Sequence, residues 1–170
     1  MESGPASVLR LLGRMALIAL VIGTSVTASA TERVTLSLVF AGAIGWSFVP
    51  LVQLLTGWLL VSGSGRDRVR LLNRYFGMHW PWSLWILVTS ATFLVSPVAR
   101  RFSWWITLTA GAPILWTLWL LVRFCRDELG LDIVRSRWRV VAHQAATYGI
   151  ALAYILVAVA LWPRILGLFE

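Results

Sequence analysis

The chain has 170 residues, enough for one domain, and it is 59% hydrophobic, 12% aromatic and only 13% charged. Soluble globular domains run nearer 45–50% apolar and about 25% charged. Disorder, collagen, coiled coil and disulfide scaffolds are therefore excluded, and an integral membrane protein remains. Fifteen basic residues against seven acidic ones give a net charge of +8, and every basic residue is Arg. The arginines flank apolar stretches, so the positive-inside rule accounts for them before nucleic-acid binding does. The single cysteine, Cys125, has no partner for an internal disulfide and reads as an inert thiol between Arg123 and Arg126.

A bilayer core needs about 20 apolar residues per helix, and five stretches qualify: about 11–30, 34–62, 80–97, 103–122 and 140–162. They are continuous rather than alternating, which excludes a β-barrel. The expected fold is an all-α integral membrane protein, a single domain of five transmembrane helices. The first stretch also resembles a secretion signal: Arg10 and Arg14 precede the apolar run Met15 to Gly23, and Ala28-Ser29-Ala30 fits the small-x-small cleavage pattern. Its length favours retention as a spanning helix.

Counting Arg sets the orientation. With the N-terminus inside, Arg10, Arg14, Arg66, Arg68, Arg70, Arg74, Arg123, Arg126, Arg135, Arg137 and Arg139 share one side, eleven in all. Arg33, Arg100, Arg101 and Arg164 make four on the other. That bias predicts an N-in, C-out multi-pass protein of a bacterial inner membrane. The two inside loops read as short amphipathic interfacial segments. In the first, Val69, Leu71, Leu72, Tyr75 and Phe76 are expected to face lipid while Arg66, Arg70 and Arg74 recur every four residues. In the second, Ile133, Val134, Trp138 and Val141 alternate with Arg135, Arg137 and Arg139. These six arginines are the expected contacts to lipid headgroups.

Eleven tryptophans divide into two sets. Trp80, Trp82, Trp104, Trp105, Trp138 and Trp162 fall near helix ends, as an aromatic belt does. Trp46, Trp58, Trp85, Trp116 and Trp119 lie deeper. Pro50 and Pro113 interrupt the second and fourth apolar stretches, and such breaks can build a midplane binding site. The candidate polar contacts there are Ser47, Gln53, Thr56 and Thr109. His79 and His143 each stand at the inside start of an outward-running helix, at similar depth, and so form a candidate pair for a haem, quinone or pigment. Ser37, Ala41 and Gly45, and Ala142, Ala146 and Gly149, form small-residue stripes that permit close helix packing. Asp127, Glu128 and Asp132 are expected to pair with Arg123, Arg126 and Arg135.

No Walker loop, zinc-protease, hydrolase-elbow or Cys/His metal pattern is present, and no acid lies in a spanning stretch to serve a proton relay. The resulting expectation is a non-catalytic accessory or structural subunit of a larger membrane complex, partnered by lipid and other membrane subunits rather than nucleic acid. A small permease or lipid-handling carrier is the alternative, and a haem-, quinone- or pigment-binding subunit the second.

Overall fold

The computed structural model describes residues 4–96, 98 and 104–166. Seven helices are present among them: α1 Pro5–Thr31, α2 Leu36–Gly45, α3 Phe48–Val61, α4 Arg68–Gly77, α5 Trp80–Val95, α6 Trp104–Asp127 and α7 Ile133–Leu166. No strand is found among the described residues. Four helical stretches are long and apolar enough to cross a membrane: α1, α2 with α3 (Leu36–Val61), α6, and α7 as far as Ala158. Large apolar side chains remain exposed along all of them, among them Leu17, Ile44, Leu51, Leu115, Trp119 and Leu152. A soluble monomer rarely tolerates so much exposed apolar surface; a bilayer covers it. The fifth expected span corresponds to α5, whose 16 residues end just before the undescribed segment. The expected turn at Arg100 and Arg101, and the ends at Pro97 and Ser103, lie outside the described residues, as do the side chains of Trp162 and Arg164.

Local chemistry explains most boundaries. Asp67 caps α4, its Oδ1 accepting from the amides of Val69 (3.0 Å) and Arg70 (3.2 Å). Asp132 caps α7 in the same way, at 3.0 Å from the amides of Val134 and Arg135. The end of α6 is a Schellman turn. Leu131 N–H donates to the Cys125 carbonyl and Gly130 N–H to that of Arg126, with Gly130 at φ +68°. Stop and start signals thus fit into five residues, and α6 and α7 pack on each other as a hairpin.

The prolines act unequally. The second stretch turns at Trp46 and Ser47, and Pro50 is the third residue of the helix that follows, where an amide has no intrahelical partner to lose. Pro113 is buried inside a continuous α6.

Two expectations about the loops are corrected. The first amphipathic segment is a discrete helix, α4, but Leu71, Leu72, Tyr75 and Phe76 are buried in the core with Leu11, Met15, Leu60, Val61, Leu121 and Phe124. Its apolar face meets protein, not lipid. The second segment is not separate. Between Asp132 and Val140 no Pro or Gly interrupts the chain, and its arginines are good helix formers, so α7 runs unbroken from the Arg-rich segment into the apolar stretch.

Helix α1 packs on α2, α3, α4 and α5. Arg14 donates to the Asn73 carbonyl, Asn73 Nδ2 donates to the Ser7 carbonyl at 2.8 Å, and Ser90 Oγ donates to the Ser25 carbonyl at 3.2 Å. The backbones of α1 and α2 approach closely at Gly23 and Gly42. An added Cβ on Gly23 would lie 2.2 Å from the Gly42 carbonyl carbon. By contrast, Gly45 and Gly149 are exposed and an added Cβ meets nothing within 4 Å. The close packing expected at those two glycines is not made within the chain. Ala146 is half-buried beside Thr56 and His143.

Candidate functional site

A cavity of about 410 Å³ lies where α1, α3, α4, α5, α6 and α7 converge. That is within the range of small-molecule sites, roughly 300–1,000 Å³. Trp46, Phe48, Tyr75, Trp82 and Tyr148 supply aromatic walls. Gln53, His79, Thr117, His143, Gln144 and Thr147 supply polar groups. Val26 and Tyr148 are the exposed members of the lining.

Tyr75 organises the polar side. Its ring fits against α3 because Gly57 has no side chain: a Cβ there would lie 2.7 Å from Tyr75 Cε1. The Tyr75 hydroxyl lies 3.1 Å from His143 Nε2, and the Tyr75 carbonyl lies 3.1 Å from His79 Nδ1. The Tyr75 ring meets both imidazoles edge-on, with centroids 4.8 Å from His79 and 5.4 Å from His143. Thr147 Oγ1 lies 3.1 Å from Thr56 Oγ1 and 2.9 Å from the His143 carbonyl, which continues the contacts from α7 to α3. Burial pushes the Tyr75 hydroxyl far above its ordinary value. Burial, reinforced by the nearby His143, lowers the His79 imidazole to about 4, so it is neutral at physiological pH.

Several lining atoms have no hydrogen-bond partner. His143 Nδ1, Thr117 Oγ1 and Gln53 Oε1 are buried and unpartnered. His143 is only 6% exposed and Thr117 3%. Buried polar groups normally find partners, because each orphan costs about 1–3 kcal/mol. Three of the six such side-chain atoms among the described residues line this cavity, where a bound molecule or water would serve them.

The two histidines, paired in the sequence reading by depth, do line one cavity. Of the four polar midplane candidates only Gln53 reaches it. Thr56 is 1% exposed and lies in the Thr147 contact, donating to the Val52 carbonyl at 2.9 Å. Ser47 is spent on the α2–α3 turn, donating to the Ile44 carbonyl at 2.7 Å. Thr109 ties α6 to α5 by accepting from Trp85 Nε1 at 3.1 Å. Tyr75, Thr117 and Thr147 were missed. A signal existed for two of them, since Tyr75–His79 and His143–Thr147 are i,i+4 pairs that share a helix face.

The six arginines expected at headgroups separate. Arg139 turns inward, its guanidinium bonding the carbonyls of Leu60 (2.8 Å) and Ser62 (2.9 Å) at the end of α3. Arg74 pairs with Glu128, and Arg66 donates to the Glu128 carbonyl. Arg70, Arg135 and Arg137 are exposed, with Arg135 also 3.2 Å from Asp132. Arg123 pairs with Asp127 at 3.2 Å. No group of three His, Cys, Asp or Glu converges as a metal site among the described residues. No protein-family model, curated protein or solved structure matches the chain.

Proposed function

We propose that this is a multi-pass membrane protein of the bacterial inner membrane, with five spans and the N-terminus inside. In this reading it is a non-catalytic accessory subunit that holds a lipid-soluble ring molecule of the quinone class in the Tyr75–His143 cavity. The observation that carries the reading is the set of unpartnered buried atoms, His143 Nδ1, Thr117 Oγ1 and Gln53 Oε1, set among aromatic walls. A quinone offers two carbonyl acceptors and its reduced form two hydroxyl donors. A threonine hydroxyl and a glutamine amide can each donate or accept, so both forms find partners. With Tyr75 donating to Nε2, His143 presents Nδ1–H to the cavity.

Haem ligation is less well supported. His79 has the arrangement a haem ligand uses, Nδ1 on a backbone carbonyl and Nε2 available. His143 has the reverse, with Nε2 engaged by Tyr75. A translocation path is also less well supported, because Ser47 and Thr109 are engaged away from the cavity.

The test is purification in mild detergent followed by organic extraction and mass spectrometry. Wild-type protein is expected to carry a prenylated ring lipid, and Gln53→Leu with Thr117→Val to lose it while staying folded. A visible haem band in the wild type, or no retained ring lipid, overturns the reading. A stably co-purifying membrane protein supports the subunit role.

A further inference from the structure

We propose that the groove between the loop-linked ends of α6 and α7 binds the headgroup of an anionic phospholipid through Arg126 and Arg137. This site is separate from the cavity and independent of its ligand.

The hairpin from Asp127 to Asp132 holds three carboxylates, and each is engaged. Asp127 is 3.2 Å from Arg123. Glu128 is bonded by Arg74. Asp132 caps α7 and lies 3.2 Å from Arg135. Arg126 and Arg137 form no ion pair among the described residues, yet both line one open groove of about 560 Å³. Counting the Arg123–Asp127 pair as neutral, the groove carries two uncompensated guanidiniums. Two like charges facing one space favour a bridging anion, and the guanidinium fork matches phosphate oxygens. Arg123 is held at the wall by Trp119, its guanidinium 5.6 Å from the ring centroid.

The rest of the groove is apolar: Leu118, Trp119, Val122 and Ile133. Leu115, Trp119, Val122 and Arg126 fall at i, i+4, i+7 and i+11, one face of α6. Leu115 and Trp119 are 69% and 56% exposed. The face thus passes from exposed apolar surface to free cation along one line, as an acyl chain passes to its phosphate. Free phosphate would use only the cationic end, which is why a lipid is the occupant.

The experiment is native mass spectrometry of the purified protein with added phosphatidylglycerol, with phosphatidylcholine, and with inorganic phosphate in competition. Phosphatidylglycerol is expected to be retained over phosphatidylcholine. Arg126→Gln with Arg137→Gln should lower that retention about 25-fold, since each surface Arg contributes about fivefold toward anionic lipid. Arg10→Gln with Arg68→Gln removes the same charge from exposed positions elsewhere on the same side and should leave retention near wild type. Both side chains of the test pair are exposed, and a thermal melt confirms folding; the single Arg137→Gln variant gives the same reading at about fivefold. Equal losses in the two double variants, equal retention of phosphatidylcholine, or displacement by millimolar phosphate overturns the proposal.

Discussion

The Tyr75 hydroxyl lies 3.1 Å from His143 Nε2, across 68 positions of sequence and from α4 to α7. It ties the amphipathic α4 to α7 inside the candidate site. Tyr75→Phe keeps the edge-on ring contacts with His79 and His143 and removes the hydroxyl that bonds His143. It takes the Tyr75 partner away from the buried His143 Nε2, so a loss of about 1–3 kcal/mol is expected. The thermal midpoint of the detergent-solubilised protein should fall, and retention of the cavity ligand should weaken with it. An unchanged midpoint would mean that water already serves Nε2.

Arg139 makes a second long connection, from α7 to the carbonyls that end α3. Helix C-termini carry partial negative charge and unsatisfied carbonyls, and a partly buried cation there is worth up to about 2 kcal/mol. Arg139→Gln is therefore expected to cost about 1.5–3 kcal/mol. Arg137→Gln, two residues away and without a protein partner, should stay within about 0.5 kcal/mol of wild type. Thermal denaturation of the two variants side by side checks this. Equal, small effects would return Arg139 to a headgroup role.

These two residues also show what the sequence made legible. Continuous apolar runs announced the spans, because a bilayer admits few other patterns. The apolar face of α4 was also visible, but its destination was not. Leu71, Leu72, Tyr75 and Phe76 suit lipid and protein equally, and only the placement of α1 and α3 decides between them. Arg139 looks like its neighbours Arg135 and Arg137 until the end of α3 arrives beside it. The histidine pair was legible from depth alone. Thr117 was not, because a lone threonine in an apolar helix usually bonds its own backbone.

Acidification should destabilise the site through His79. Its ordinary value is 6.5 and its folded value about 4. Above about 6.5 neither the folded nor the unfolded chain holds this proton, and the full contribution is present. As pH falls from 6.5 toward 4, only the unfolded chain takes it up, so stability declines across that window. Asp132, held low by the Arg135 and Val134 amides, is lost only below the window. Melting curves between pH 7.5 and 4.5 should show a falling midpoint in wild type and a flatter one in His79→Gln, with His143 and Tyr75 unchanged in both. An identical decline in the two proteins would assign it to another group.

The eleven-to-four division of arginines makes a topological prediction. A reporter inserted after Gly65 or Gly130 should lie inside, and one fused after Glu170 outside. The α4 loop and the α6–α7 hairpin support the first two positions, since Arg66 and Arg74 both bond Glu128 and so hold these loops on one side. A C-terminal reporter on the inside would remove one span and replace the five-span arrangement with an even number.

Helix packing gives the sharpest contrast between sequence pattern and structure. The small-residue stripe read on the second stretch ran through Ala41 and Gly45, but the contact is made at Gly42, one position along and so about 100° around the helix. Its partner is Gly23. A Cβ on Gly42 would lie 2.5 Å from the Gly23 carbonyl oxygen and 2.5 Å from Thr27 Oγ1. Gly42→Ala must therefore push α1 and α2 apart, at an overpacking cost of about 1–3 kcal/mol, and the thermal midpoint should fall. Gly149→Ala meets no atom within 4 Å and exchanges a poor helix former for a good one, so its midpoint should hold or rise slightly. Gly149→Leu then separates packing inside the chain from packing outside it. Its own melting should stay near wild type, since its surroundings are open. If the exposed face around Gly149 and Tyr148 seats a helix of another subunit, the bulk of Leu should release that subunit during purification. Retention of the partner by Gly149→Leu would turn this face toward lipid.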